Sequence, residues 1–281
     1  MTREENKQLH LTACRVRQGI IEATHSAKSG HPGGSLSAAD ALTYLFFRRM
    51  RIDPACPRWE ERDRFVLSKG HAAPALYSVL ANRGFFPVEE LKTLRQPGSR
   101  LQGHPNMNLT PGVDMSTGSL GQGVSTAAGM ALGAKKKGSG VRVYAMLGDG
   151  ELEEGQVWEA MMFSAHYKLD NLLVLVDNNN LQIDGPITEV MSPYPIGEKL
   201  AAFGLFVQEV DGHDFDALEA AFDAVEAEKG RPSAIVLKTV KGKGVSFMEN
   251  QVGWHGKAPN DEQYQSAMEE LAEQMRKVEA Q

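Results

Sequence analysis

Five short apolar runs punctuate the chain, and between them apolar residues recur every three or four positions. The runs near residues 64–68, 141–147, 171–177, 205–210 and 233–240 predict strands. The intervening periodicity predicts helices over 6–28, 37–50, 73–84, 120–137, 151–167, 214–229 and 260–279. Uniformly apolar strands separated by helices indicate an α/β fold, a parallel sheet with helices on both faces. No low-complexity tract, sustained charge block or Pro/Gly-rich linker divides the chain, so a single domain over residues 1–281 is expected. The last helix, rich in Glu, Gln and Ala, suits docking on the sheet or on a partner.

Composition narrows the function classes. The net charge is -6, and the two cysteines are too few for a metal-thiolate site. An acidic chain gives no electrostatic reason to expect nucleic acid, and Lys135-Lys136-Lys137 reads as a helix end where cations suit the macrodipole. Cys14 and Cys56 are expected as buried or partly buried free thiols in a reducing compartment. The first residues are polar and include acids, and no apolar stretch approaches the about eighteen residues of a membrane span. A cytoplasmic protein, with neither membrane nor nucleic-acid partner, is the expectation.

The chemistry concentrates after two of the strands. Gly148-Asp149-Gly150 follows one apolar run and Asp177-Asn178-Asn179-Asn180 follows the next. Ligands of an open parallel sheet bind beyond the carboxyl ends of its strands, so neighbouring strands deliver these loops to one crevice. Magnesium takes one or two carboxylates, carbonyl oxygens, water and phosphate oxygens, and a carboxylate with a carboxamide fits that set. Gly148 and Gly150 let a phosphate approach backbone N–H groups. A helix beginning at once, with apolar positions Leu152, Val157, Ala160, Met161, Ser164 and Ala165, would turn its positive end toward a diphosphate. Residues 148–155 are not the dinucleotide G-x-G-x-x-G, and no G-x-x-x-x-G-K-[ST] occurs. The triplet alone reads equally well as a strand-to-helix turn; the Asn cluster favours the metal.

Four histidines, His31, His71, His104 and His255, sit beside or close to glycine in tight loops, although each alone reads as a surface residue. His213 looks like the entry to a helix with Asp214 as its N-cap. Lys241-Gly242-Lys243-Gly244-Val245-Ser246 reads either as a flexible lid or as a plain surface loop.

Gly148-Asp149-Gly150, Glu154-Gly155, Asp177-Asn178-Asn179 and Ile183-Asp184-Gly185 together resemble the thiamine diphosphate signature. The surrounding chain is similar to the N-terminal, diphosphate-binding part of transketolase. Gly30-His31-Pro32-Gly33-Gly34, Ser68-Lys69-Gly70-His71-Ala72, Gly103-His104-Pro105, Gly118-Ser119-Leu120-Gly121-Gln122-Gly123 and Trp254-His255-Gly256 follow in that family's order. The resemblance implies thiamine diphosphate and Mg2+, or another divalent cation such as Ca2+ or Mn2+. It assigns the metal to Asp149, Asn179 and the backbone carbonyl of Leu181. It places His71, Gly118, Ser119, Leu120, Gly150, Asn179, Ile183 and His255 against the cofactor. His31 and His255 would handle hydroxyl protons, and His104 would hold the transferred two-carbon unit. Glu154, itself counted with the catalytic residues, and Glu159 would relay to a glutamate that contacts the aminopyrimidine.

In that family the glutamate comes from another domain, so the chain length suggests a split enzyme. A C-terminal transketolase subunit would supply the glutamate and most contacts to sugar phosphate substrates, in a heterotetramer with two of each polypeptide. The implied activity is transfer of a two-carbon ketol unit from a ketose phosphate to an aldose. Alternatives are a subunit of another thiamine enzyme (2-oxoacid dehydrogenase alpha-like or deoxyxylulose phosphate synthase-like), a phosphohydrolase using Asp149 as nucleophile, and a non-catalytic partner subunit.

Overall fold

The five apolar runs assemble into one parallel sheet in a computed structural model that describes residues 1–280. Helices α1 (Arg3–Ala27) and α2 (Pro32–Tyr44) precede β1 (Arg64–Leu67), and α3 (Ala73–Arg83) and α4 (Gln122–Lys136) precede β2 (Val143–Gly148). Helix α5 (Gly155–His166) leads to β3 (Leu172–Asn178). A small hairpin, β4 (Leu181–Gln182) and β5 (Gly185–Pro186), and short helices α6 (Ile187–Val190) and α7 (Ile196–Ala202) come next. Strand β6 (Phe206–Asp211), helix α8 (Phe215–Ala227), β7 (Ser233–Lys238) and α9 (Asp261–Glu279) follow. The sheet order is β1-β2-β3-β7-β6, all pairs parallel.

Alternation along each strand feeds two cores. Tyr144 and Met146 of β2 join Leu173 and Leu175 of β3 in a core roofed by α1, α2, α3 and α8, whereas Val143, Ala145, Leu147, Val174 and Val176 pack under α4, α5 and α7. These side chains are almost wholly buried, and each large aliphatic one contributes about 1.5–3 kcal/mol. The expected helices on both faces are present. Among the described residues no helix is long and apolar enough to cross a membrane.

Several boundaries differ for local reasons. Helix α1 starts at Arg3 rather than residue 6, because Thr2 and Glu5 form a reciprocal capping box. Helix α2 starts at Pro32 rather than 37: proline is preorganised for the first turn, and Gly33 has no room for a β-carbon, which would stand 2.8 Å from the Trp254 carbonyl oxygen. The helix expected from 151 begins at Gly155, after a 3-10 turn over Gly150–Glu153. There the Glu151 carboxylate, instead of facing solvent, accepts from the Ser68 hydroxyl and from the N–H groups of Gly121 (2.8 Å) and Gly148 (3.1 Å). The turn, not a long α-helix, therefore follows Asp149. Helix α9 packs along α1 rather than on the sheet, burying Ala267 and Leu271. Cys14 is buried as expected, but Cys56 is exposed, in a turn where its N–H bonds the Asp53 carbonyl. The hairpin, α6 and α7 escape the periodicity because they are too short to display one.

Candidate active site

Four adjacent strands end beside one cavity, and the segment after each contributes a polar side chain to it. Lys69 follows β1, Asp149 follows β2, Asn179 follows β3 and Lys241 follows β7. The strand order reverses direction between β3 and β7, the kind of point at which connections part to opposite faces and open a crevice.

Asp149 is 2% exposed. One carboxylate oxygen accepts the N–H of Gly150 at 2.8 Å and the other that of Asn180 at 2.6 Å, so the two loops are tied by the acid itself. Burial, and then the charge of Asp177, push the Asp149 carboxyl up to about 7. A carboxylate so deprived of water suits a cation. Asn179 donates its amide to Asp177 (3.2 Å), and its carbonyl oxygen accepts the N–H of Leu181 (3.1 Å). Among the described residues no three His, Cys, Asp or Glu side chains gather as a metal cage. A cation beside Asp149 would therefore complete its shell with amide and carbonyl oxygens, water and a ligand's phosphates.

The remainder of the Asp-Asn cluster faces elsewhere. Asp177 is fully buried and ion-paired with Lys69, and accepts hydrogen bonds from Ser37 (2.6 Å) and Thr239. Burial opposes its charge, but Lys69 and the hydrogen bonds outweigh that and hold the carboxyl below its usual range. The Tyr194 hydroxyl bonds the side-chain oxygens of Asn178 (2.8 Å) and Asn180. Lys241, 1% exposed, donates to the Leu181 carbonyl at 2.9 Å, and burial followed by the nearby Lys69 lowers its pKa to about 8. The segment from Lys241 is thus neither a lid nor a plain surface loop: Gly242 N–H bonds the Gly33 carbonyl (3.0 Å) and the Lys241 carbonyl accepts Asn250 N–H (2.9 Å).

Three of the glycine-loop histidines form a cluster. Ring centroids are 5.4 Å apart for His31 and His71, 5.5 Å for His31 and His255, and 5.1 Å for His71 and His255. Burial, then neighbouring cations, lowers His31 to about 4 and His255 to about 3, and holds His71 well below its ordinary value. The buried Nδ1 of His31 has no hydrogen-bond partner, an orphan atom suited to a ligand. These depressed values have a consequence for stability. Between the ordinary histidine value near 6.5 and the folded values the unfolded chain binds more protons, so stability falls as pH falls through that window. The melting temperature is expected to drop from pH 6.5 toward 4, and to drop less in His31→Gln; an equal drop in both proteins would show that His31 does not contribute.

Of the remaining residues singled out from the sequence, Gly150, Leu181, Leu120 and Ile183 also line the cavity. Leu120 and Ile183 are 39% and 62% exposed, giving an apolar mouth. His104, Gly118 and Ser119 line an adjoining depression, where a β-carbon at Gly118 would stand 3.3 Å from the His104 ring. Glu154 and Glu159 lie on the surface outside the cavity. Sequence reasoning missed Lys69, Lys241 and Glu151, all three of which line the cavity. Lys69 lies inside the Ser68–Ala72 motif and Lys241 shortly after a strand, so position at a strand's carboxyl end was the available signal.

A family model described as "Transketolase, thiamine diphosphate binding domain" matches residues 8–277. The 6-deoxy-6-sulfo-D-fructose transketolase subunit SqwG of Clostridium sp. (strain MSTE9) is 45% identical, over 95% of this chain and 98% of that protein. An apulose-4-phosphate transketolase subunit of Phocaeicola vulgatus is 41% identical, over 96% of each. The crystal structure of transketolase from Campylobacter jejuni superposes with a TM-score of 0.88 at 33% identity, covering 94% of this chain and 42% of that one.

Proposed function

The chain belongs to the transketolase family as its N-terminal, thiamine diphosphate-binding part, and from that premise we propose that it works as one subunit of a two-polypeptide enzyme moving a two-carbon ketol unit from a ketose phosphate to an aldose. Both bacterial relatives are named as subunits and are matched over nearly their whole length, which supports the two-polypeptide reading. On this reading residues 1–281 form a single diphosphate-binding domain of a cytoplasmic enzyme.

The observation that carries the proposal is the convergence of Lys69, Asp149, Asn179 and Lys241 at four neighbouring strand ends. Asp149 and Asn179 would hold Mg2+, Ca2+ or Mn2+ together with the Leu181 carbonyl, which also accepts from Lys241. Lys241, His71 and the backbone at Gly150, with Gly118 and Ser119 nearby, would face the diphosphate, and Leu120 and Ile183 would pack on apolar parts of the cofactor. Thiamine diphosphate, when bound, supplies the carbon nucleophile on which ketose cleavage depends. The protein's share is positional and acid–base: His31 and His255 take and return hydroxyl protons, and His104 holds the transferred fragment.

Glu154 and Glu159, exposed on α5 and its entry, suit contact with a second polypeptide that brings the pyrimidine-side glutamate. A partner of this kind, in a heterotetramer of two copies each, would also read the sugar's tail; the relatives' names carry two chemically different sugars. A transfer assay with purified chain, thiamine diphosphate and Mg2+ is expected to give no turnover until the partner is added. Turnover by the chain alone would refute the two-polypeptide reading, and preference for pyruvate over a ketose phosphate as donor would refute ketol transfer.

A further inference from the structure

A buried charge network outside the cavity fastens the segment that carries Lys241. Asp40 of α2 is 4% exposed and receives both terminal nitrogens of Arg17 from α1. The same carboxylate meets His213 Nδ1 at 2.7 Å. On the far side of the ring, His213 Nε2 accepts the backbone N–H of Val240 at 2.9 Å. A ring nitrogen that accepts an N–H carries no proton, so the imidazole keeps its proton on Nδ1 and gives it to Asp40. Arg17 also donates its Nε to the Lys243 carbonyl at 3.0 Å. The network therefore grips the backbone at 240 and at 243, on either side of Lys241. Packing is close there: a β-carbon at Gly244, where φ is +93°, would stand 2.8 Å from Arg17 Cδ.

Lys241 passes this placement into the cavity. Its ammonium bonds the Leu181 carbonyl at 2.9 Å and His255 Nδ1 at 3.0 Å. The second contact requires a lone pair on Nδ1, which leaves the ring proton of neutral His255 on Nε2. We infer that Arg17, Asp40 and His213 are positioning residues that set Lys241 and, through it, the tautomer of His255. None of the three lines the cavity. The inference rests on reading that cavity as the thiamine diphosphate site.

The test uses the chain together with its partner polypeptide. Thiamine diphosphate binding, titrated by calorimetry in the presence of Mg2+, is expected to weaken about 10- to 100-fold in His213→Ala, the usual cost of losing a residue that orients a ligand group. His213→Gln, whose amide offers one donor and one acceptor to the same partners, should recover most of the affinity. Hydrogen exchange at Val240 should accelerate in the alanine variant and less in the glutamine variant. If His213→Ala melts earlier yet binds the cofactor as the wild type does, the network only holds the fold and the inference fails. Should that variant not fold, ring ¹⁵N spectra of the wild type decide: neutral His213 protonated on Nδ1 and His255 on Nε2 support the inference, and His255 protonated on Nδ1 overturns it. A wild-type complex that binds no thiamine diphosphate would instead sink the cofactor reading, and the ring spectra would still report on the network.

Discussion

Asp149→Ala is expected to abolish magnesium-dependent binding of thiamine diphosphate. The carboxylate supplies the one formal negative charge among the three groups assigned to the cation, the others being the neutral Asn179 amide and the Leu181 carbonyl. Its removal also releases the N–H groups of Gly150 and Asn180, so the loops after β2 and β3 lose one of the bonds between them. Both effects act in the same direction, and the loss should exceed the about 10- to 100-fold typical of a residue that merely orients a ligand. Asp149→Asn separates them: an amide oxygen can keep a backbone hydrogen bond while the charge is gone. Calorimetry on the complex with its partner, with and without Mg2+, measures the change. Binding that survives in both variants would remove Asp149 from the metal site.

The cavity was legible because its residues follow strands that the sequence announces. Leu147 and Val176 close apolar runs, and a parallel sheet then brings the next residues of both segments to one edge, so Asp149 and Asn179 were predictable as a pair. Contacts that join distant segments were not legible. Glu151 looks like one acid of an acidic turn, and only tertiary structure reveals that Ser68, Gly121 and Gly148 enclose it. In the sequence His213 reads as a helix entry. Asp214 does cap α8, accepting from Asp216 and Ala217, but the histidine's own partners lie 173 residues back at Asp40 and 27 ahead at Val240. Asp177 illustrates the same limit in reverse: it shares a tetrapeptide with Asn179 and bonds its amide, yet it is buried at the end of β3, where Lys69, Ser37 and Thr239 enclose it. Motif reading places residues at a site, and packing decides which of them face it.

His255→Ala should leave assembly with the partner intact and cut turnover by about 10²- to 10⁴-fold, the range for a general acid–base residue. Assembly should survive because the segment bearing His255 is held by other contacts, including Trp254 Nε1 to the Phe247 carbonyl at 3.0 Å and Asn250 N–H to the Lys241 carbonyl at 2.9 Å. With its Nδ1 accepting from Lys241, the ring would present Nε2–H to a ligand as a donor, its centroid 5.5 Å from that of His31. Burial and the Lys241 ammonium hold His255 near 3, so at neutral pH the ring is uncharged and keeps its single proton on Nε2. A bound diphosphate brings negative charge against Lys241 and Lys69 and would draw the imidazole back toward its ordinary range. The cofactor would thus tune the group that serves it, and the defect in His255→Ala should appear in kcat more than in the affinity between the two polypeptides. Steady-state kinetics alongside size-exclusion of the reconstituted complex separates the outcomes: unchanged kcat removes His255 from the chemistry, and a complex that no longer forms assigns it to the scaffold.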